Sequence, residues 1–171
     1  MVSGEAESKA APLAGHALTA WLAQRGWHWF PHQIETLQAA QSGKDVLLCA
    51  PTGAGKTLSG FLPSFIDLTS GKPREKGLHT LYISPLKALT IDVHRNVGRP
   101  IEELGLPVTY ETRTGDTPSS KRQRQKKTPP DILMTTPESL EAMLLSTRVE
   151  HREWFANLRT VVIDEAHAFG V

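Results

Sequence analysis

Residues 45–57 read DVLLCAPTGAGKT, and this stretch decides the fold. Its first part, residues 45–50, is short, apolar and rich in strand-forming residues, which predicts a buried strand. A turn of small residues follows, and residues 56–69 then carry a helical pattern. A strand, a glycine-rich turn and a helix in this order predict a phosphate-binding loop, in which successive backbone N–H groups face phosphate oxygens.

Four further short apolar runs predict strands, and they alternate with helical patterns along the chain. The predicted strands are residues 80–84, 108–112, 132–135 and 160–164. The predicted helices are residues 16–25, 31–42, 56–69, 86–104, 137–145 and 151–155, and the polar segments 70–77 and 118–130 are predicted surface loops. This alternation predicts an α/β domain with a mainly parallel sheet and helices on both faces. An antiparallel sheet would need hairpin signals, and the sequence shows none.

The composition indicates one ordinary globular domain. The chain has 171 residues, with 19 Lys and Arg against 18 Asp and Glu, and a single Cys. One cysteine excludes an internal disulfide framework and a multi-cysteine metal site, which favours a reducing, cytoplasmic setting. No apolar run approaches the roughly 20 residues that span a bilayer, so no membrane association is expected. The start of the chain does not resemble a targeting signal.

The position of each residue in the predicted phosphate-binding loop indicates its expected role. Lys56 is expected to reach the β- and γ-phosphates, and the Thr57 hydroxyl to bind Mg²⁺. The strict pattern begins with glycine, and this chain has the small residue Ala50 there. An accidental glycine-rich turn is the alternative, which the alignment of strand, GKT and helix disfavours. The other loop residues expected to bind the nucleotide are Thr52, Gly53, Ala54 and Gly55.

A second acidic motif follows the strand predicted at residues 160–164, where the chain reads DEAH. A phosphate-loop protein needs a carboxylate at the end of a neighbouring strand to hold Mg²⁺, and Asp164 has that position. Glu165 can orient and deprotonate an attacking water, and His167 can hydrogen-bond to another part of the machinery. The alternatives are a solubilising strand end, or a zinc site that would lack further ligands.

Together these motifs resemble the first, RecA-like motor lobe of superfamily 2 helicases of the DEAD/DEAH-box kind, over residues 27–170. APTGAGKT at residues 50–57 is similar to motif I, and DEAH at residues 164–167 to motif II. FPHQ at residues 30–33 resembles the adenine-reading Q motif, which implies that Gln33 binds the nucleotide. The resemblance implies ATP and Mg²⁺ as cofactors.

Three more segments resemble nucleic-acid motifs of the same family: SPLKAL at residues 84–89, RTGD at 113–116 and TTPESL at 135–140. Each is expected to present hydroxyls, backbone N–H groups or a cation at a strand end or helix start, where phosphates can be bound without reading bases. The basic run at residues 121–127 is either a solvated face or an electrostatic flank of the strand path. The implied contact residues are Pro85, Lys87, Arg113, Thr114, Gly115, Thr136, Pro137 and Glu138.

Within the superfamily, YISPLKAL, ETRTGDT, PDILMTTPESL and DEAHAF resemble the large helicase-related (Lhr) group, including its ligase-associated bacterial branch, which often has Trp where this chain has Ala166. The resemblance implies a DNA-repair motor that moves along single-stranded DNA in preference to RNA, with a repair ligase or nuclease as partner.

The resemblance to the Lhr group also implies a domain organisation. Residues 1–15 are expected to form a flexible N-terminus and residues 16–171 the ATP-binding domain, ending after motif II and hydrolysing ATP poorly by itself. The alternatives are an ATPase acting on other substrates and a non-catalytic binding module.

Overall fold

The computed structural model describes residues 13–51, 53–147 and 149–169. Most of the predicted flexible N-terminus, residues 1–12, lies outside this description, as do Thr52 and the side chain of Lys87. Among the described residues, no helix has the length and apolar character that crossing a bilayer requires.

Within the described ranges, four parallel strands form one sheet with the order β2-β3-β1-β4. The strands are β1 (Thr80–Ile83), β2 (Tyr110–Arg113), β3 (Ile132–Thr135) and β4 (Thr160–Ile163). The helices are α1 (Ala17–Ala23), α2 (Pro31–Gln41), α3 (Lys56–Leu68), α4 (Lys87–Glu103), α5 (Ser119–Lys127), α6 (Pro137–Leu144) and α7 (His151–Trp154). A short 3₁₀ turn covers Ala166–Phe169. The predicted parallel α/β fold is confirmed, with small shifts at the ends of its elements.

The two faces of the sheet are buried under different helices. Because side chains alternate along a strand, Tyr82 and Met134 face one side, where they pack with Phe61 of α3 and Val97 of α4. Leu81, Ile83 and Leu133 face the other side and pack with Met143 of α6 and Trp154 of α7. Helices therefore cover both faces, as the strand–helix alternation predicts.

The strand predicted at residues 45–50 is wrong: this segment is irregular, and its Leu47 is 85% exposed. It faces β4 across an open cleft, and Val161 and Ile163 of β4 are 51% and 57% exposed. An apolar run indicates strand propensity, but a strand forms only where a neighbouring strand accepts its hydrogen bonds. Among the described residues, β4 pairs with β1 alone, so its other edge is open.

The surface loop predicted at residues 118–130 contains a helix, α5. Its sequence, SSKRQRQKK, has no apolar periodicity, so pattern reasoning could not detect it. The helix docks through Gln125, which is fully buried. The Gln125 side-chain amide donates to a Glu111 carboxylate oxygen at 2.7 Å, and its backbone carbonyl accepts from the Trp154 indole at 3.1 Å.

Helix α3 lies unusually close to the sheet. A Cβ atom at Gly60 would lie 2.9 Å from a methyl carbon of Val162 on β4, which is closer than side chains approach each other. The next residue, Phe61, stacks on Tyr82 of β1 with ring centroids 5.2 Å apart. At the far end of α3, Asp67 hydrogen-bonds to His79 at 2.7 Å, just before β1 begins. The start of α3 therefore lies at the carboxyl ends of β1 and β4.

Gly60→Ala tests this close docking. A Gly-to-Ala change inside a helix ordinarily stabilises by about 1 kcal/mol, whereas overpacking a core costs about 1–3 kcal/mol. We expect the overpacking to dominate, with a net loss of about 1 kcal/mol and a Tm lower by roughly 2–4 °C. Thermal unfolding measures the change, and an unchanged or higher Tm would show that α3 does not contact β4 at this position.

A buried carboxylate joins the starts of β2 and β3. Asp131 is 7% exposed; it accepts hydrogen bonds from Arg74 and from the backbone and hydroxyl of Thr109, both at 2.8 Å. Burial raises the pKa of Asp131, but the hydrogen bonds from Arg74 and Thr109 and the Arg74 charge outweigh it, so the pKa lies below its ordinary value. The charged form is therefore stabilised by folding.

Asp131→Asn should lower the free energy of unfolding at neutral pH by about 2 kcal/mol, the cost of losing a buried hydrogen bond to a charged group. Because the folded pKa of Asp131 is depressed, its contribution is present above the unfolded pKa and is lost as the pH falls through the folded pKa. The variant should therefore lose less stability than the wild type between pH 7 and acid conditions. Urea unfolding at a series of pH values tests this, with the exposed Asp92→Asn as the control; parallel curves for wild type and Asp131→Asn would contradict it.

Candidate functional site

Glycines give the phosphate loop its backbone conformation, and hydrogen bonds connect the loop to α2. Gly53 and Gly55 have φ values of 81° and 71°, in the left-handed region that glycine adopts without strain. A Cβ at Gly55 would also lie 2.6 Å from the Gln33 amide nitrogen. Gln33 is 3% exposed; its amide donates to the Gly55 carbonyl at 3.2 Å, and its oxygen accepts from the Phe30 backbone at 2.9 Å. His32 hydrogen-bonds to the Ala54 carbonyl at 2.8 Å. Gln33, which was predicted to bind the nucleotide, hydrogen-bonds to the loop backbone in this structure.

Lys56 and Thr57 begin α3, directly after the loop. The Lys56 ammonium donates to the Ala50 carbonyl at 2.6 Å, so the side chain folds back across the loop that it follows. The helix start adds the positive end of the α3 dipole. These groups give the loop the charge distribution that binds an anionic phosphate chain.

Asp164 follows β4, and both of its carboxylate oxygens are hydrogen-bonded. Its Oδ2 atom accepts from the Tyr82 hydroxyl, and its Oδ1 atom accepts from the Glu165 backbone at 2.9 Å. Burial of Tyr82, together with the hydrogen bond to Asp164 and its charge, raises the pKa of the phenol far above its ordinary value. Tyr82 therefore stays protonated and acts as the donor.

Glu165 has an unusual backbone conformation. Its φ is 50°, a region that non-glycine residues rarely occupy and that is enriched at functional sites. A Glu165 carboxylate oxygen lies 3.4 Å from His167 Nδ1. The His167 side chain is 81% exposed, so it is available to another group.

These residues share one cleft. An open cleft of about 1100 Å³ is lined by Lys56 and Thr57 on one side and by Asp164, Glu165 and His167 on the other. No group of three or more His, Cys, Asp or Glu side chains among the described residues could hold a metal by itself. One hydroxyl and one carboxylate fit Mg²⁺, which is usually bound through one or two protein oxygens together with phosphates and water. A combination of phosphate loop and carboxylate thus fits Mg²⁺ and a nucleotide.

A second, smaller pocket lies at the carboxyl ends of β1, β2 and β3. Its volume is about 340 Å³. Six of the predicted nucleic-acid residues line it, and Pro137 lies beside it as the first residue of α6. The structure thus brings together three segments that are far apart in the sequence. The six are Pro85, Arg113, Thr114, Gly115, Thr136 and Glu138, and Arg122, Ser139 and Ala142 also line the pocket.

The charged side chains that line this pocket are two arginines, Arg113 and Arg122, and one carboxylate, Glu138. Arg113 is 7% exposed, and its Nη1 atom has no hydrogen-bond partner among the described residues. Burial lowers the pKa of Arg113, and the nearby Arg122 charge lowers it further. Arg113 and Arg122 therefore place two guanidinium groups, which are strong donors to anions, beside one pocket.

Residues 30–171 match the profile of the DEAD/DEAH box helicase family. The chain belongs to the DEAD/DEAH box helicases. Among its relatives, the "Lhr helicase/probable uracil glycosylase" of Mycolicibacterium smegmatis is 44% identical over 81% of this chain and 10% of its own length. The "ATP-dependent helicase Lhr-Core" of Methanocaldococcus jannaschii is 37% identical over 86% of this chain and 19% of its own length. The resemblance to the Lhr group is thereby confirmed.

The fold agrees with a solved helicase structure. The Mycobacterium smegmatis helicase Lhr bound to ssDNA and AMP-PNP matches with a TM-score of 0.75 and 40% identity, over 92% of this chain and 21% of that one. A RecA-like helicase lobe is therefore confirmed. The chain spans about a tenth to a fifth of the length of the curated relatives it matches.

Two residues of this helicase lobe were missed by sequence reasoning. Arg122 was counted within a basic run, but nothing in that run separates the residue that faces the pocket from those that face solvent. A helical reading of residues 119–127 could have done so, because it places every third or fourth residue on one face. Tyr82 reads as one more buried strand residue, and no local signal separates its hydroxyl from those of Thr80 and Ser84 in the same predicted strand.

Proposed function

We propose that this chain is the ATP-binding lobe of an ATP-dependent helicase or translocase that moves along single-stranded nucleic acid. One observation carries the proposal: Lys56, Thr57 and the acidic motif after β4 line one cleft, while Arg113 and Arg122 line a pocket at the carboxyl ends of β1, β2 and β3 in the same sheet. An ATPase acting on a small molecule or a protein explains the cleft, but it gives no reason for Arg113 and Arg122 to face one pocket. The family membership and the Lhr relatives support the same conclusion.

ATP and Mg²⁺ are the proposed ligands of the cleft. Mg²⁺ neutralises charge on the phosphates when it is bound there. The loop N–H groups of Gly53, Ala54 and Gly55, and of Thr52 by sequence, hold the phosphate chain, and Gln33 keeps the loop in place. Lys56 exchanges the Ala50 carbonyl for phosphate oxygens. Thr57 and Asp164 hold the metal ion, Glu165 takes a proton from the attacking water, and His167 contacts another part of the protein.

Single-stranded DNA is the proposed ligand of the smaller pocket. The pocket offers guanidinium groups, hydroxyls and the N-terminus of α6, all of which suit phosphates and none of which reads a base edge. Lys87 and Pro137 belong to the same path. DNA is favoured over RNA because the similar Lhr structure holds ssDNA. A cytoplasmic role in DNA repair, with a ligase or nuclease as partner, completes the proposal.

Lys56→Ala in the full-length protein that contains this chain should abolish ATP hydrolysis, because Lys56 is the one cationic residue in the loop sequence at residues 50–57. ATPase assays with and without single-stranded DNA or RNA measure this, and wild type should be stimulated by DNA. Lys76→Ala, an exposed lysine away from the cleft, is the control and should behave as wild type. Retained activity in Lys56→Ala would refute the nucleotide assignment, whereas an ATPase stimulated by neither nucleic acid would favour another substrate.

Arg122→Ala should weaken binding to single-stranded DNA several-fold and lower the slope of log K against log salt by roughly 0.7, the value for one lost phosphate contact on a single strand. Arg124→Ala is a matched control on the same helix, because Arg124 pairs with Glu111 at 2.8 Å and does not line the pocket. Fluorescence anisotropy at several salt concentrations gives both quantities. Equal losses for the two variants would mean that α5 contributes only diffuse charge.

A further inference from the structure

Tyr82 lies between the phosphate-loop helix and the acidic motif. It is in β1, is fully buried, and pairs in register with Val162 of β4. Asp164 lies two residues beyond Val162, and its backbone continues the ladder by donating to the Ile83 carbonyl at 2.9 Å. Since side chains two residues apart on a strand share a face, Asp164 projects on the same side of the sheet as Tyr82. A long side chain at Tyr82 can therefore reach Asp164 diagonally across the two strands.

The ring of Tyr82 has its own support. It stacks on Phe61 with centroids 5.2 Å apart and an interplanar angle of 25°. Phe61 lies about one turn after Thr57 in α3. The position of the Tyr82 hydroxyl is therefore set by the same helix that carries Thr57 into the cleft.

The hydroxyl donates to Asp164 Oδ2, while the Glu165 backbone donates to Oδ1 at 2.9 Å. One hydrogen bond to each oxygen fixes the plane of the carboxylate. Each carboxylate oxygen can accept about two hydrogen bonds or ligands, so both keep a free lone pair. Groups that hydrogen-bond to a metal-binding carboxylate commonly tune the affinity of the site for the metal. Losing one such group typically lowers metal affinity or activity by about 10–100-fold.

We propose that Tyr82 is a positioning residue for magnesium binding: it links α3 to Asp164 and holds that carboxylate in its metal-binding orientation. This inference rests on the proposed function, because it concerns the same Mg²⁺-nucleotide site. A purely structural role is the competing explanation, in which Asp164 merely satisfies a buried phenol. The two explanations differ in what removal of the hydroxyl does to the dependence of nucleotide binding on Mg²⁺.

The chain offers a matched control. It has two tyrosines, and both donate a hydrogen bond to a carboxylate: Tyr82 to Asp164, and Tyr110 to Glu102. Tyr110 packs against His94 and does not line the cleft. Tyr-to-Phe changes at the two positions remove the same atom and the same type of hydrogen bond, but only one of them is next to the acidic motif.

The experiment is a Mg²⁺ titration of the binding of a fluorescent ATP analogue to the full-length protein that contains this chain. Tyr82→Phe should raise the Mg²⁺ concentration for half-maximal tight binding about 10-fold, while affinity without Mg²⁺ stays unchanged. Tyr110→Phe should match the wild type in both. Asp164→Asn, measured in parallel, should lose most of the Mg²⁺ effect.

The outcomes separate the inference from the proposed function. If Asp164→Asn loses the Mg²⁺ effect and Tyr82→Phe does not shift it, Tyr82 is structural and the inference is overturned, while the proposed function stands. If Asp164→Asn keeps the full Mg²⁺ effect, the proposed metal site itself fails. Thermal unfolding of each variant checks the fold, which the retained ring should preserve. If Tyr82→Phe does not fold, the same titration with Tyr82→Met, a flexible side chain without a hydroxyl, decides the question.

Discussion

The close contact between α3 and the sheet is the constraint on which the rest of the structure depends. Gly60 has no Cβ, so the helix approaches Val162 of β4 more closely than any other residue would allow. One residue later, Phe61 stacks on Tyr82 of β1, and at the far end Asp67 hydrogen-bonds to His79. These contacts fix the distance, rotation and direction of the helix. A phosphate loop and an acidic motif that are more than 100 residues apart in the chain consequently face each other across one cleft.

The carboxyl edge of the sheet carries both candidate sites, and β1 contributes to each. Tyr82 within the strand touches Asp164, while Pro85, just beyond its end, lines the smaller pocket. All four strands are parallel, so every strand end at this edge is followed by a turn into a helix or a 3₁₀ turn. Such turns present backbone N–H groups and short polar side chains, which suit phosphates of a nucleotide and of a nucleic-acid backbone alike.

Much of this arrangement could be predicted from the sequence because the decisive patterns are local. Apolar strands followed by helical patterns predict a parallel sheet, and GKT and DEAH each follow a predicted strand. The segment at residues 45–50 has the same local pattern and is irregular, because strand formation depends on a hydrogen-bonded neighbour that local pattern does not report. Helix α5 was missed because it is polar throughout and shows no apolar periodicity. It is held in place by the buried amide of Gln125. The roles proposed for Arg122 and Tyr82 depend on an electrostatic interaction across 9 sequence positions and a hydrogen bond across 82, which no local pattern contains.

A crystal structure of the full-length protein containing this chain, with Mg²⁺ and a non-hydrolysable ATP analogue, tests most directly whether α3 and the acidic motif form one nucleotide site. We expect the triphosphate on the loop at residues 50–57, the ion between the Thr57 hydroxyl and the Asp164 carboxylate, and the Tyr82 hydrogen bond to Asp164 retained. A triphosphate bound elsewhere, or an Asp164 carboxylate turned away from the ion, would contradict this expectation.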